Sequence, residues 1–179
     1  LQKALNTKNR LAMLACVAVL PAAILAYNFN YLVKQLGIVK PLSFLSGDIE
    51  RDKYISNFRP EYPAISFLND EHGETKTLAV FLGNRGYYFD DEVLFDLRGG
   101  KSLLCELTKN VEHDSQIADI LVSKGFTHLI IRYDLFNHWI GQQLDNSEQQ
   151  RLLRFLQQQA TLLYANNGHG VFRISPISK

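Results

Sequence analysis

The sequence predicts a three-layer α/β domain with a mainly parallel sheet and flanking helices, preceded by one transmembrane helix, and three observations carry that expectation. Leu11 to Tyr27 (LAMLACVAVLPAAILAY) runs without a charge, at the lower end of what spans a hydrocarbon core of about 30 Å. Thr77 to Leu82 (TLAVFL) and Thr127 to Arg132 (THLIIR) are short apolar runs, the mark of strands buried on both faces. Between them, Ser115 to Lys124 carries Ile117, Ile120 and Leu121 at helical spacing and stops before Gly125, a residue suited to a left-handed C-terminal cap. Strand, helical crossover and strand in that order imply a parallel pair joined right-handedly, and so a Rossmann-like sheet.

The order of segments divides the chain into a cytoplasmic-side flank (1–10), a transmembrane helix with its interface (11–31), a connector (32–47) and an extracytoplasmic α/β domain (48–179). Lys3, Lys8 and Arg10 precede the apolar run and Tyr27, Phe29 and Tyr31 close it. Basic flanks stay on the cytoplasmic side and aromatic belts mark the interface, so the chain is expected in the inner (cytoplasmic) membrane with its C-terminal part in the periplasm or outside the cell. Lys34 and Lys40 vote the other way. Two further readings stand beside this one: a signal peptide, since small residues such as Ala22, Ala23 and Ala26 lie in the run, and a buried helix of a soluble core.

A length of 179 residues suits one domain and an appendage. The balance of 19 Lys and Arg against 18 Asp and Glu gives a net charge of +1, too little field to draw in nucleic acid. Membrane lipid is the expected partner. Because the chain begins at Leu1, it is expected to have been cut from a longer protein or processed. Cys16 and Cys105 make no disulfide framework, and the five histidines (His72, His113, His128, His138, His169) lack metal-ligand spacing. No metal and no cofactor are expected.

Within the domain, Asp48 is placed to cap a helix through Phe58, and Arg59-Pro60-Glu61-Tyr62-Pro63 breaks it. Pro63 then opens a helix to about Asp70 with Ile65 and Leu68 inward. Tyr87 to Phe89 and Glu92 to Phe95 read as strand, turn and strand around Asp90-Asp91. Ser147 with Gln150 is positioned as a capping box for a helix to about Gln159, with Leu152, Leu153 and Leu156 facing inward. Thr161 to Tyr164 and Val171 to Ile174 form a closing hairpin around a tip that contains His169.

Gly83-Asn84-Arg85-Gly86 follows a buried strand, the position of a phosphate-binding turn in nucleotide folds. The spacing fits neither G-x-G-x-x-G nor the P-loop, and no helix begins there. A glycine-bounded turn with an outward Arg85 is the simpler reading, although carboxyl ends of strands are where α/β sheets place ligands. Asn84, Arg85, Tyr87 and Tyr88 are therefore the candidate ligand-binding residues. Asp90, Asp91, Glu92 and Asp96 form an acidic cluster whose adjacent members point to opposite faces of a strand, so turn chemistry explains them. No Gly-x-Ser-x-Gly elbow occurs. His169 is a mobile base or a polar hairpin tip, and His138 with Phe136, Trp139 and Ile140 makes an aromatic cluster assigned to the core. No catalytic residue is assigned.

Tyr62-Pro63-Ala64-Ile65-Ser66-Phe67-Leu68-Asn69, Leu78-Ala79-Val80-Phe81-Leu82-Gly83 with Arg85-Gly86-Tyr87-Tyr88, Val93 to Asp96, and Gly125-Phe126-Thr127-His128-Leu129-Ile130 together resemble the C-terminal soluble domain of bacterial polytopic GT-C class glycosyltransferases. These are similar to the protein mannosyltransferase and lipid A aminoarabinose transferase group. The resemblance spans roughly Asp48 to Arg132, and the Gly83-x-Arg85-Gly86-Tyr87-Tyr88 turn is its most specific part. It implies sugar transfer from a polyprenyl-phosphate donor to a glycan or protein acceptor, with the catalytic carboxylate in an early extracytoplasmic loop that this sequence does not include. The chain alone is then expected to be inactive, its domain covering the membrane active site, engaging acceptor or stabilising the enzyme. A membrane-anchored ligand- or protein-binding module without an enzymatic parent is the alternative.

Overall fold

The computed structural model describes residues 2–71, 73–83, 85–97 and 101–175, with side chains from residue 17 onward. It divides into two compact units, Leu1–Arg51 and Asp52–Lys179.

The first unit is dominated by α1 (Gln2–Val39), which continues through Pro21. Its stretch Val17–Val39, 23 residues, is long and apolar enough to cross a membrane, rising about 35 Å at 1.5 Å per residue. Val17, Leu20, Leu25 and Phe29 are exposed along it. Such a helix is compatible with membrane anchoring and with a signal sequence. Tyr27, Phe29 and Tyr31 lie inside α1 rather than beyond its end, and most of the expected connector 32–47 is helical, because α2 (Pro41–Leu45) follows at once. The break falls at Lys40, whose φ of 49° is left-handed. Proline at 41 explains the position: its ring disfavours the right-handed helical conformation in the residue before it, while its missing N–H is harmless at the start of a new helix.

The second unit is an α/β domain built on a five-stranded mixed sheet. Its helices α3 (Arg51–Phe58) and α4 (Tyr62–Asn69) precede β1 (Lys76–Val80) and β2 (Glu92–Phe95). Then come α5 (Leu103–Asn110), α6 (Ser115–Ser123), β3 (His128–Arg132), α7 (Tyr133–Gln143), α8 (Asn146–Gln158), β4 (Ala160–Asn166) and β5 (His169–Ile174). The strand order is β2-β1-β3-β5-β4. β1 runs parallel to β2 and to β3, in a register that sets Thr77 beside His128 and Val80 beside Ile131. β5 is antiparallel to both β3 and β4. The parallel β1–β3 pair is as the sequence implied, but the sheet as a whole is mixed. A two-residue turn, Asn167-Gly168, joins β4 to β5 and allows only an antiparallel pair.

Strand alternation sends side chains to two cores. Leu78, Val80, Leu129 and Ile131 pack with Leu104, Ile117, Leu121, Phe136, Leu152 and Phe155 from α5 to α8. Ala79, Ile130 and Val171 pack on the other face with Ile65 and Leu68 of α4. Helices therefore cover the sheet on both sides, and Ile65 and Leu68, both fully buried, each stabilise the α4 side by about 1.5–3 kcal/mol.

Several local expectations are corrected. Tyr87 to Phe89 is not a strand: residues Gly86–Tyr88 form one 3-10 turn, closed by a bond from Phe89 N–H to the Gly86 carbonyl. The Asn69 amide accounts for the backbone here, donating to the Tyr88 carbonyl at 2.8 Å and accepting from Asp90 N–H at 3.3 Å. Asp48 accepts from Ser46 Oγ at 2.7 Å, and the helix it was expected to cap begins at Arg51. The capping box of α8 is Asp145 with Glu148, two residues earlier than Ser147 with Gln150. Leu152 is buried, as expected, whereas Leu153 faces outward. Helices α5 and α7 were not expected from the sequence.

Candidate functional site

The chain leaves β1 toward the α4 face, where Tyr88 and Phe89 join the packing. It leaves β3 toward the opposite face, through α7, whose Phe136 and Ile140 belong to the other core. Neighbouring parallel strands that exit to opposite faces define a topological switch point, the place where open α/β sheets hold ligands.

Two left-handed residues shape the β1 side. Phe81 has φ 64° and Gly83 φ 67°, so the alternation inverts: Phe81 meets Phe136 and Trp139 edge-to-face, while Leu82 turns to the α4 core. Arg85 N–H then donates to the Gly83 carbonyl at 2.9 Å. At Gly86 a Cβ would stand 3.4 Å from the Phe95 ring, ordinary van der Waals contact, so the close packing of this turn on β2 does not itself demand glycine.

Arg85 Nη1 donates to Glu61 Oε1 at 2.9 Å. The Glu61 side chain is only 6% exposed and that of Arg85 54%, so the carboxylate lies beneath and the guanidinium faces out. Glu61 immediately precedes α4, and its carbonyl accepts from Ala64 and Ile65 N–H. Tyr88 is partly buried, edge-to-face with Tyr62 at 5.1 Å between centroids, whereas Tyr87 is 90% exposed. Of the candidate ligand-binding residues, then, Arg85 and Tyr87 reach the surface and Tyr88 is mainly packing. Asn84 lies outside the described residues.

The β3 side contributes Arg132 and Asp134, which the sequence pattern did not single out. Arg132 donates from Nε and a terminal nitrogen to the two Asp134 oxygens, both at 2.8 Å. That fork holds the Asp134 carboxyl at a pKa of about 2 and raises Arg132. His169 pairs with Arg132 across β3 and β5 and is buried, neither a mobile base nor an exposed polar tip. Its Nδ1 lies 2.8 Å from the Asn167 carbonyl; a carbonyl only accepts, so Nδ1 carries the proton. Burial pushes the His169 pKa below its ordinary value, opposed by that bond and by the charge of Glu61, with Arg132 adding to the depression. Glu61 also acts on Arg132. The carboxyl edge thus gathers Glu61, Arg85, Arg132, Asp134 and His169. Only their spacing in the fold, not their spacing in the chain, signals this set.

The opposite end of α4 repeats the pattern. Glu71 pairs with Arg173 of β5, next to His128, which is buried with its Nε2 unpartnered. Burial first, then Arg173, depresses the His128 pKa, and Glu71 opposes them. Each end of α4 therefore carries a Glu–Arg pair, Glu61 with Arg85 of the turn after β1 and Glu71 with Arg173 of β5, and near each lies a buried imidazole whose pKa is lowered.

The acidic residues Asp90, Asp91, Glu92 and Asp96 do not converge. Asp91 accepts from the Thr75 N–H at 3.0 Å and hydroxyl at 2.8 Å, which lower its pKa. Glu92 pairs with Lys76 at 2.8 Å. Asp96 accepts from Ser102 Oγ and Leu103 N–H at the start of α5, with burial raising its pKa. An open depression of about 510 Å³ at the amino ends of the strands is lined by Glu74, Thr75, Lys76, Asp91, Glu92, Gly125 and Thr127, and the bonds just named already engage Asp91 and Glu92. Of the expected aromatic cluster, Phe136 and Ile140 are core and His138 is exposed. Cys105 is buried, which raises its thiol pKa.

Among the described residues no group of three or more His, Cys, Asp and Glu side chains is arranged to hold a metal ion. Chemically, the carboxyl edge offers guanidinium N–H donors, carboxylate acceptors and an exposed phenol, a set suited to holding polar groups in place. What the fold and its edge define is a mixed α/β domain following one long apolar helix. Comparison with known proteins adds no relative: no family model, no curated protein and no solved structure matches the chain.

Proposed function

We propose that this chain is the extracytoplasmic C-terminal domain of a membrane glycosyltransferase of the GT-C class, with α1 as a span of the inner membrane and the α/β unit on the periplasmic side. In this reading the enzyme transfers a sugar from a polyprenyl-phosphate donor, and the domain assists by engaging the glycan or protein acceptor or by stabilising the enzyme. The observation that carries the proposal is the G-x-R-G-Y-Y turn at the carboxyl end of β1, in a domain that follows an apolar helix. The β2-β1-β3 half, with its switch point, supports a Rossmann-like reading of the fold.

Reading the gene upstream of Leu1 tests it: many hydrophobic spans and an early acidic loop are expected, and one isolated span would overturn it in favour of the binding module. The 90% exposure of Tyr87 beside Arg85 is the feature that favours that second reading. In the intact enzyme, Arg85→Ala is expected to lower sugar transfer, and unchanged transfer would leave the turn a scaffold only.

A further inference from the structure

Directly beyond α1, the chain presents two of its most exposed apolar side chains on a single short element. Leu42 is 75% exposed and Leu45 77%, and their spacing of three puts them on one face of α2. Nothing in the local sequence requires them there. Solvent-facing positions of a five-residue helix ordinarily take polar residues, because each leucine left in water forgoes about 1.5–3 kcal/mol of burial. The residues just after α2 are polar or turn-forming: Ser46 Oγ donates to Asp48 at 2.7 Å, and Gly47 takes a φ of 83°. The break at Lys40 matters as well. Its left-handed conformation ends α1 and starts α2 without an intervening loop, so the Leu42–Leu45 face begins where Val39 closes the apolar stretch.

We infer that α2 is an interfacial helix that seats Leu42 and Leu45 in the boundary between lipid headgroups and acyl chains. The inference rests on reading α1 as a membrane span. Continuity with that span selects lipid as the occupant: α2 starts two residues after Val39, and a five-residue helix reaches only about 7–8 Å, so it remains at interface depth. The depth expected for such a face is about 5–10 Å below the headgroups. Lys40 at the junction places an ammonium at headgroup level, where long cationic side chains settle.

The test uses the whole chain reconstituted in vesicles of equal parts phosphatidylcholine and phosphatidylglycerol, in a Trp139→Phe background that removes the only native tryptophan. Leu45→Trp, Leu42→Trp and, as a reporter of α1, Ile24→Trp are made separately. Lipids brominated near the headgroup or near the methyl end of the chain then quench by depth. The expected result is a blue-shifted Leu45→Trp emission that loses intensity mainly to shallow bromines, with the same behaviour for Leu42→Trp, while Ile24→Trp loses intensity to deep bromines. A water-like, unquenched Leu45→Trp and Leu42→Trp emission alongside a deeply quenched Ile24→Trp overturns the inference and leaves the span standing. A blue shift without lipid quenching at 42 and 45 also overturns it, because a protein surface or a second copy then covers the face. An unquenched Ile24→Trp overturns the span reading, and the inference with it.

Discussion

Replacing Arg85 with alanine separates a scaffold from a binding edge. The Arg85–Glu61 bond is 2.9 Å long, with the carboxylate 6% exposed and the guanidinium 54%. Exposed pairs contribute about 0–1 kcal/mol, and removing one partner of a fully buried pair costs about 3–5 kcal/mol. This pair is buried at one end, so Arg85→Ala is expected to cost about 2 kcal/mol, most of it from the Glu61 carboxylate left without its partner. For a domain of this size roughly 1 kcal/mol moves Tm by about 4 °C, which makes the expected loss about 8 °C, read by near-ultraviolet circular dichroism of the chain in detergent. Glu61→Gln in the Arg85→Ala background is expected to restore most of it, since a neutral amide is far cheaper to bury than an unpaired charge. An Arg85→Ala protein as stable as the parent, or a double variant whose losses simply add, would refute the reasoning. In the first case Arg85 is held for a ligand rather than for α4.

The buried histidines give a pH dependence. His128 and His169 both have folded pKa values depressed by burial, so the unfolded chain binds protons that the folded chain resists. Their contribution is fully present above the ordinary histidine value of about 6.5 and is lost as pH falls through the lower folded values. Urea midpoints are expected to fall on acidification below about pH 6.5, and a midpoint that rises there would contradict the burial. Asp145→Ala is expected to cost about 1 kcal/mol by removing the cap of α8, with Gln150→Ala within about 0.5 kcal/mol of the parent; the reverse order in thermal unfolding would reinstate the box at Ser147. Leu152→Ala is expected to cost about 2–5 kcal/mol because Leu152 is fully buried. Leu153→Ala, on the exposed side, is expected to cost under about 1 kcal/mol, and equal losses in chemical denaturation would mean that α8 is rotated from the position described.

Local pattern settled the elements whose burial is uniform. TLAVFL and THLIIR are apolar through their centres, so each supplied a strand covered on both faces, although β1 ends at Val80 and the left-handed Phe81 turns the chain out of it; Gly125, at φ 84°, ended α6 where a side chain would be strained. Pro63 and the helical spacing of Ile65 and Leu68 defined α4 in the same way. The mixed character of the sheet was not legible, because the antiparallel insertion of β5 beside β3 depends on which strand edges are open once β1 has paired with both β2 and β3. Nor was the turn at Gly86–Tyr88: its aromatics have strand propensity, and only the Asn69 amide, 19 residues away from Tyr88, holds the backbone groups that a strand would have paired.

Of the carboxyl edge, the sequence determined Arg85 and the glycine-bounded turn after a buried strand, since both are local. Tertiary structure alone decided that Glu61 lies under Arg85, that the Arg132–Asp134 fork lies beside them, and that His169 is buried instead of a mobile base or an exposed polar tip. The reason is physical: charge pairing and desolvation depend on distance and burial in space, and residues 24 apart in the chain, as Glu61 and Arg85 are, carry no mark of their partner until β1, β3 and α4 are packed.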